Sequence, residues 1–302
     1  MHTKIREVTL CPCDSWDNLS KYLSSFKISK NQQKKYVPKK KLMMKVIARE
    51  ALSLPIDLFN TYMVSAIYEG PKIPVIEESN DYIALSKPSK LHSLPLRYSD
   101  QNNLLAFLRG RENSSEVLNV NKLSYEKGLL FRLDFETSGL ILLAKTDQFF
   151  QAFREEVNKR KFYLAIVQGE VQNDFSYAHH VHYTGEKGAI GRVKDGASEN
   201  SHLEGKKVVY NSEKNLSLVM VKLDEGLRHQ IRIQLSAEGN PILGDPIYGE
   251  IQADRMYLHS FCYEFEYAKK KLSVIDKNIQ SLESVLNVNG ILEMANKALL
   301  SF

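Results

Sequence analysis

Along the chain, hydrophobic and polar positions change period several times, and each change marks an element. Residues 16–26 and 40–51 carry apolar side chains at helical spacing and are expected to be helices. The acidic, polar residues 77–81 have the character of a linker. Tyr82–Lys87 is an apolar run that ends at Pro88 and predicts a strand. Residues 129–134 and 140–145 predict two more strands, flanking a stretch of turn composition, Glu136-Thr137-Ser138-Gly139. Residues 147–159 predict an amphipathic helix with Phe149, Phe150, Phe153 and Val157 on one face. Strands are expected at 161–167, 206–210, Leu216–Leu223 and 256–267, and a helix at 229–237 ending near Gly239. The polar, Gly- and His-rich residues 174–205 suggest a long surface loop. Consecutive strands outnumber helices, so the fold class expected is α+β: a mixed, largely antiparallel sheet flanked by helices and loops.

Composition changes this picture little. In 302 residues, 43% hydrophobic and 25% charged positions suit a globular protein with a proper core. No run of 18 apolar residues is present, so no membrane partner is expected. The first 18 residues lack the apolar stretch of a secretory signal, and three scattered cysteines do not make a disulfide framework. A cytoplasmic monomer is the expectation.

Charge changes the picture more. Of the 41 basic residues, nine lie between Lys27 and Arg49 with no acidic residue among them, and the other 32 are outnumbered by 36 acidic ones. The net charge of +5 is therefore carried by one N-terminal stretch. Such a stretch attracts phosphate backbones without sequence preference, or is simply a solvated face. Lys34, Lys35, Lys39 and Lys40 are the candidate RNA-binding residues within it. The expected organisation is a small basic N-terminal region over residues 1–75 and a catalytic domain over 76–302.

Chemistry-bearing residues gather in three segments. The first is Phe131-Arg132-Leu133-Asp134-Phe135-Glu136-Thr137-Ser138-Gly139-Leu140, where Arg-x-Asp closes an apolar run at a desolvation cost that a function would explain. The second is Lys161-Phe162-Tyr163-Leu164-Ala165. The third is His229-Gln230-Ile231-Arg232, followed by Gly239-Asn240-Pro241-Ile242-Leu243-Gly244-Asp245-Pro246-Ile247-Tyr248-Gly249. Lys87-Pro88 follows a strand, and Arg255, Leu258 and His259 form a late cluster.

With these motifs in this order, the chain resembles the RluA-type RNA pseudouridine synthases from about residue 82 to residue 265. The resemblance implies isomerisation of uridine to pseudouridine in a structured ribosomal or transfer RNA, with no cofactor and no metal. It implies Asp134 as nucleophile, Arg232 as the cation paired with it, and Tyr163 as the aromatic residue packed on the base and assisting loss of the C5 proton. Arg132 matches a residue that fills the stack vacated by the flipped nucleotide. It also implies a small RNA-binding module of S4 type for the basic N-terminal region. Three positions depart from the pattern: Phe131 stands for a usual His, Lys90 for a usual Gly, and Leu227 for a usual Arg that here comes one place later as Arg228.

Other readings compete. Taken singly, Asp134 reads as a turn-capping aspartate, Tyr163 as a strand tyrosine and Arg232 as a helix-surface arginine with His229 on its face. Gly244-Asp245-Pro246 reads as a loop that positions the site. Asp134 with Glu136 could suggest a glycosidase pair, but no second distant acid accompanies them. His179, His180 and His182 could bind a metal, but their segment holds no cysteine and no ordered acidic partners. Phe149, Phe150 and Phe153 suit a helix core better than an RNA-stacking platform. Gly-x-Gly-x-x-Gly and Walker motifs are absent, so no nucleotide cofactor is implied. A non-catalytic RNA-binding or RNA-folding relative is the alternative from another class; Asp134, Tyr163 and Arg232 together favour the enzyme.

Overall fold

The computed structural model describes residues 7–25, 28–55, 58–59, 64–65, 67–96, 100–111, 115–121, 124, 126–184, 190–194, 196–224 and 226–302. The chain divides into two compact units: Met1–Pro71 with His92–Gly128, and Lys72–Leu91 with Leu129–Phe302.

In the first unit, strands β1 (Glu7–Leu10) and β2 (Leu52–Pro55) pair antiparallel. Between them run three short helices, α1 (Leu19–Ser25), α2 (Lys30–Tyr36) and α3 (Lys39–Leu42). Their apolar faces meet in a core of Leu19, Leu23, Ile28, Val37, Leu42 and Leu54. Ser29 caps α2 by accepting the Gln32 amide. The helix expected over 40–51 stops at Leu42: Val46 forms a bridge with Trp16 and Arg49 adopts a left-handed backbone, φ 67°. Helical spacing alone could not foresee that bridge, a long-range backbone pairing. Phe26 and Lys27, included in the expected helix and basic stretch, lie outside the described residues. A further helix, α4 (Leu104–Gly110), is capped by Asn103.

The second unit is built on a nine-stranded sheet in the order β3-β4-β5-β12-β6-β11-β10-β7, with β13 paired to β12. The strands are β3 (Val75–Glu78), β4 (Tyr82–Lys87), β5 (Ser138–Ala144), β6 (Arg160–Gln168), β7 (Asp174–His179), β10 (Ser201–Asn211), β11 (Leu216–Leu223), β12 (Leu258–Tyr267) and β13 (Lys270–Ile275). Among the described strands of this sheet only β5 and β12 pair parallel, so the mixed, largely antiparallel α+β expectation holds. A separate hairpin, β8 (Val181–Thr184) with β9 (Ile190–Val193), stands beside it. Helix α5 (Asp147–Glu155) lays Phe149 and Phe153 against Phe265, with Phe149 also stacked on Tyr82. Helices α7 (Gln280–Leu286) and α8 (Ile291–Leu299) bury Leu282, Leu286, Ile291 and Ala295 against Leu164, Leu218 and Met220. Helix α6 (Gln230–Ala237) is buried along Gln230–Leu235.

Four further expectations are corrected. The supposed linker at 77–81 begins inside strand β3, whose exposed Glu77 and Glu78 protect a sheet edge, and only residues 79–81 connect it to β4. The strand expected at 129–134 is a single bridge, Leu129 with Leu143. Incoming β12 occupies the start of β5, at Ser138 and Gly139, so the preceding chain leaves the sheet and runs irregularly to residue 137. Gly139 permits this approach: a Cβ there would stand 2.3 Å from the Ser260 carbonyl oxygen, and its φ is +107°. The supposed loop at 174–205 contains β7, the β8–β9 hairpin and the start of β10, whose exposed alternate positions account for its polarity. Finally, α5 ends at Glu155, leaving Val157 87% exposed rather than on the buried face.

Candidate active site

The irregular segment 130–137 carries Asp134, and a turn from the Thr137 amide to the Asp134 carbonyl shapes it. From α6, Arg232 reaches the same place, its side chain 1% exposed. The guanidinium is divided between two partners. Its Nε and Nη2 donate to both oxygens of Asp245, at 2.7 and 2.8 Å. Its Nη1 faces Asp134 Oδ2 at 3.2 Å and Glu136 Oε2 at 3.6 Å. Asp245 is itself fixed, because its Oδ1 accepts the amides of Ile247 and Tyr248. Burial pushes the Asp245 carboxyl up, but Arg232 and the two amides outweigh it and hold the group below the usual range. Burial likewise disfavours the Arg232 charge, and the three carboxylates more than restore it. Arg232 is therefore a permanent cation aimed by Asp245, with one face left for Asp134.

Tyr163 lies in the middle of β6, between Val221 of β11 and Ser260 of β12, and is 8% exposed. Burial first, then the Asp134 charge, pushes its phenol well above the ordinary value. His229 precedes α6 in a left-handed conformation, φ 56°. Its Nε2 stands 3.7 Å from Asp134 Oδ2 and its Nδ1 is 3.1 Å from the Tyr248 hydroxyl.

The turn after β4 grips the segment from behind. Ser89 Oγ donates to the Glu136 carbonyl at 2.7 Å. The Lys87 ammonium donates to the carbonyls of Pro88 and Leu91 at 3.0 and 2.9 Å, with the Phe135 carbonyl at 3.5 Å.

The sequence profile of the RNA pseudouridylate synthase family matches residues 81–237, which include Asp134, Tyr163, His229 and Arg232. This chain belongs to the RNA pseudouridylate synthase family. It is 28% identical over 209 residues to ribosomal large subunit pseudouridine synthase D of Borreliella burgdorferi, covering 65% of this chain and 62% of that one. It is 31% identical over 148 residues to the protein of the same description from Zymomonas mobilis, covering 45% and 44%. These relatives bear out the RluA-type resemblance, although the matches span less than two thirds of their length. In fold, the chain is similar to the human RNA pseudouridylate synthase domain containing 1, at a TM-score of 0.54 and 18% identity over 72% of this chain and 95% of that one.

The structure thus brings Asp134, Arg232 and Tyr163 of this pseudouridylate synthase family member into one region. Arg132, two residues before Asp134, is exposed. Lys34 and Lys35 end α2, and Lys39 and Lys40 begin α3; all four are exposed and belong to the first unit. Phe131, in the position of the usual His, stacks on Tyr263 at 4.5 Å. Lys90, in the position of the usual Gly, keeps a left-handed backbone, φ 61°, and donates to the Asp254 carbonyl at 2.7 Å. Sequence reading placed Asp245 in a supporting loop without its partner, gave His229 no role, and weighed Glu136 only in a glycosidase pair that it set aside; their place inside the motifs was the signal that could have pointed to them. Among the described residues, no group of three or more His, Cys, Asp or Glu side chains could hold a metal ion. His179 instead pairs with Glu238 at 2.9 Å, and His180 Nδ1 lies beside the Ser198 carbonyl.

Lys87 gives a measurable pH effect. Full burial lowers its ammonium to about 7, against weaker upward pulls from Asp134 and Glu136. From that value up to the unfolded value near 10.5, the unfolded chain binds the extra proton and the native protein does not. Stability is therefore expected to rise as pH goes from about 7 towards 10, as far as this group decides it. Urea titrations at a series of pH values should show that rise, and Lys87→Met should flatten it.

Proposed function

We propose that this protein isomerises specific uridines to pseudouridines in structured ribosomal or transfer RNA, with Asp134 as nucleophile. The observation that carries the reading is the Asp134 carboxylate 3.2 Å from Arg232, a cation already neutralised on its other edge by Asp245. A carboxylate so placed is pointed by its cation, while 29% of its side chain remains open to a substrate. The reaction breaks the bond from ribose C1′ to uracil N1 and forms one from C1′ to C5. The covalent route holds the sugar on Asp134 while the base turns. C5 then loses a proton and N1 gains one, so no atom and no electron enters or leaves.

Tyr163 supplies a ring against the base. Its high phenol value keeps it protonated near neutral pH, so it contributes contact and a hydroxyl rather than a phenolate base. The target nucleotide leaves its stack to reach Asp134, and the exposed planar guanidinium of Arg132 is suited to stand in for it. Residues 1–75 are a basic RNA-binding module of divergent S4-like character, and Lys34, Lys35, Lys39 and Lys40 are its phosphate contacts.

Conversion of uridine in ribosomal and transfer RNA, mapped in a strain lacking the protein and in one restored with it, tests the activity and names the target. The lysines have their own test. If each releases one counterion, neutralising all four should flatten the slope of log affinity against log salt by about 0.7 to 0.9 for each residue. An unchanged slope would return the stretch to a solvated basic face.

A further inference from the structure

The imidazole of His229 is hydrogen-bonded on one side and faces the nucleophile on the other. Its Nδ1 is 3.1 Å from the hydroxyl of Tyr248. That hydroxyl also receives the backbone amide of Gly191, at 3.0 Å, from strand β9 of the hairpin. An amide can only donate, so the phenol oxygen accepts there, and its own proton is left available for Nδ1. Nδ1 is then an acceptor, and the ring proton of a neutral imidazole sits on Nε2. The opposite tautomer would turn the Nε2 lone pair towards the Asp134 carboxylate 3.7 Å away, a repulsive arrangement. Both neighbours thus select the same tautomer.

We infer that His229 is a positioning residue for Asp134: its Nε2–H points at Oδ2 of the nucleophile, and the Gly191–Tyr248 relay from the β8–β9 hairpin fixes that tautomer. The inference rests on the reading of Asp134 as nucleophile. Burial keeps the imidazole neutral near pH 7; the charges of Arg232 and Arg228 act in the same direction, and Asp134 and Glu136 oppose them. The relay is built tightly at both ends. A Cβ on Gly191 would stand 2.2 Å from Ile233 Cδ1, so this amide comes close over α6 and any side chain there would displace the end of Ile233. On β8 the Tyr183 hydroxyl donates to the Arg228 carbonyl at 2.8 Å, fixing the residue before His229. The arrangement holds the carboxylate from two sides, with Arg232 Nη1 on one and His229 Nε2 on the other. At 3.7 Å the histidine contact is longer than a hydrogen bond, so a small approach of Asp134 when it engages C1′ would complete it.

Nitrogen NMR of the isotopically labelled full chain is the test. The His229 Nε2 should show the shift of a protonated ring nitrogen and Nδ1 that of an unprotonated one. A proton on Nδ1 in the unaltered protein would overturn the inference whatever the variants do. Tyr248→Phe should scramble the tautomer and lower kcat on RNA by about tenfold to a hundredfold, with KM little changed, as expected of a misplaced reacting group. His229→Gln places an amide donor near the Nε2 position and should retain most of the activity that His229→Ala loses; both share the same left-handed backbone cost. Equal activity in these two variants would overturn the positioning role. If instead Asp134→Asn remains active, the nucleophile reading itself fails, which is a different outcome from an unexpected tautomer.

Discussion

Asp134→Asn is expected to abolish pseudouridine formation and to leave RNA affinity nearly unchanged. The carboxylate is an anion and adds nothing to phosphate attraction, so removing its charge should not weaken binding. In the proposed route it supplies the bond to C1′, and an amide is no substitute as a nucleophile. The fold should tolerate the change, because Asp134 is partly exposed and the Arg232 charge keeps Asp245 on two nitrogens and Glu136 at 3.6 Å. Release of tritium from C5-labelled uridine in RNA reads the activity, and filter binding reads the affinity. A folded Asp134→Asn protein that still converts uridine would end the assignment.

Much of this site was legible in the sequence, for a physical reason. Residues that serve a mechanism must be of particular types at particular spacings, and the spacings survive even where the backbone reading fails. Asp134 was expected at the end of a strand and lies in an irregular segment, yet it meets Arg232 as the motifs implied. Strands β4 and β11 were readable because each buries a mostly apolar run of the right length. Edge strands were not. β3 and β7 expose alternate or nearly all side chains, so their composition is that of a linker or a loop, and only hydrogen bonding to a neighbour makes them strands. The irregular path of 130–137 was equally hidden, because it follows from a competition with β12, more than a hundred residues later, for the start of β5.

Partnership was the least legible feature. Asp245 carries a motif signature but nothing in one sequence says that it binds both nitrogens on one edge of Arg232. Asp245→Ala should therefore show what the pairing is worth. Both side chains are almost fully buried, at 1% and 0% exposure. Removing one partner leaves the other charge buried without its main counter-ion, which costs about 3 to 5 kcal/mol in such pairs. The two amides of Ile247 and Tyr248 lose their acceptor as well, loosening the loop that presents Tyr248 to His229. Asp134 and Glu136 can compensate only in part, since they face Nη1 at 3.2 and 3.6 Å and leave Nε without a carboxylate. Urea denaturation should show the loss, and activity should fall further than folded fraction alone explains, because Arg232 is then free to turn towards Asp134 and bury the open oxygen of the proposed nucleophile. Arg232→Met combined with Asp245→Ala should be less destabilised than the sum of the single changes, since no unpaired charge remains buried. Additive single changes in that cycle would mean that Asp245 holds the loop alone and that Arg232 is aimed by something else.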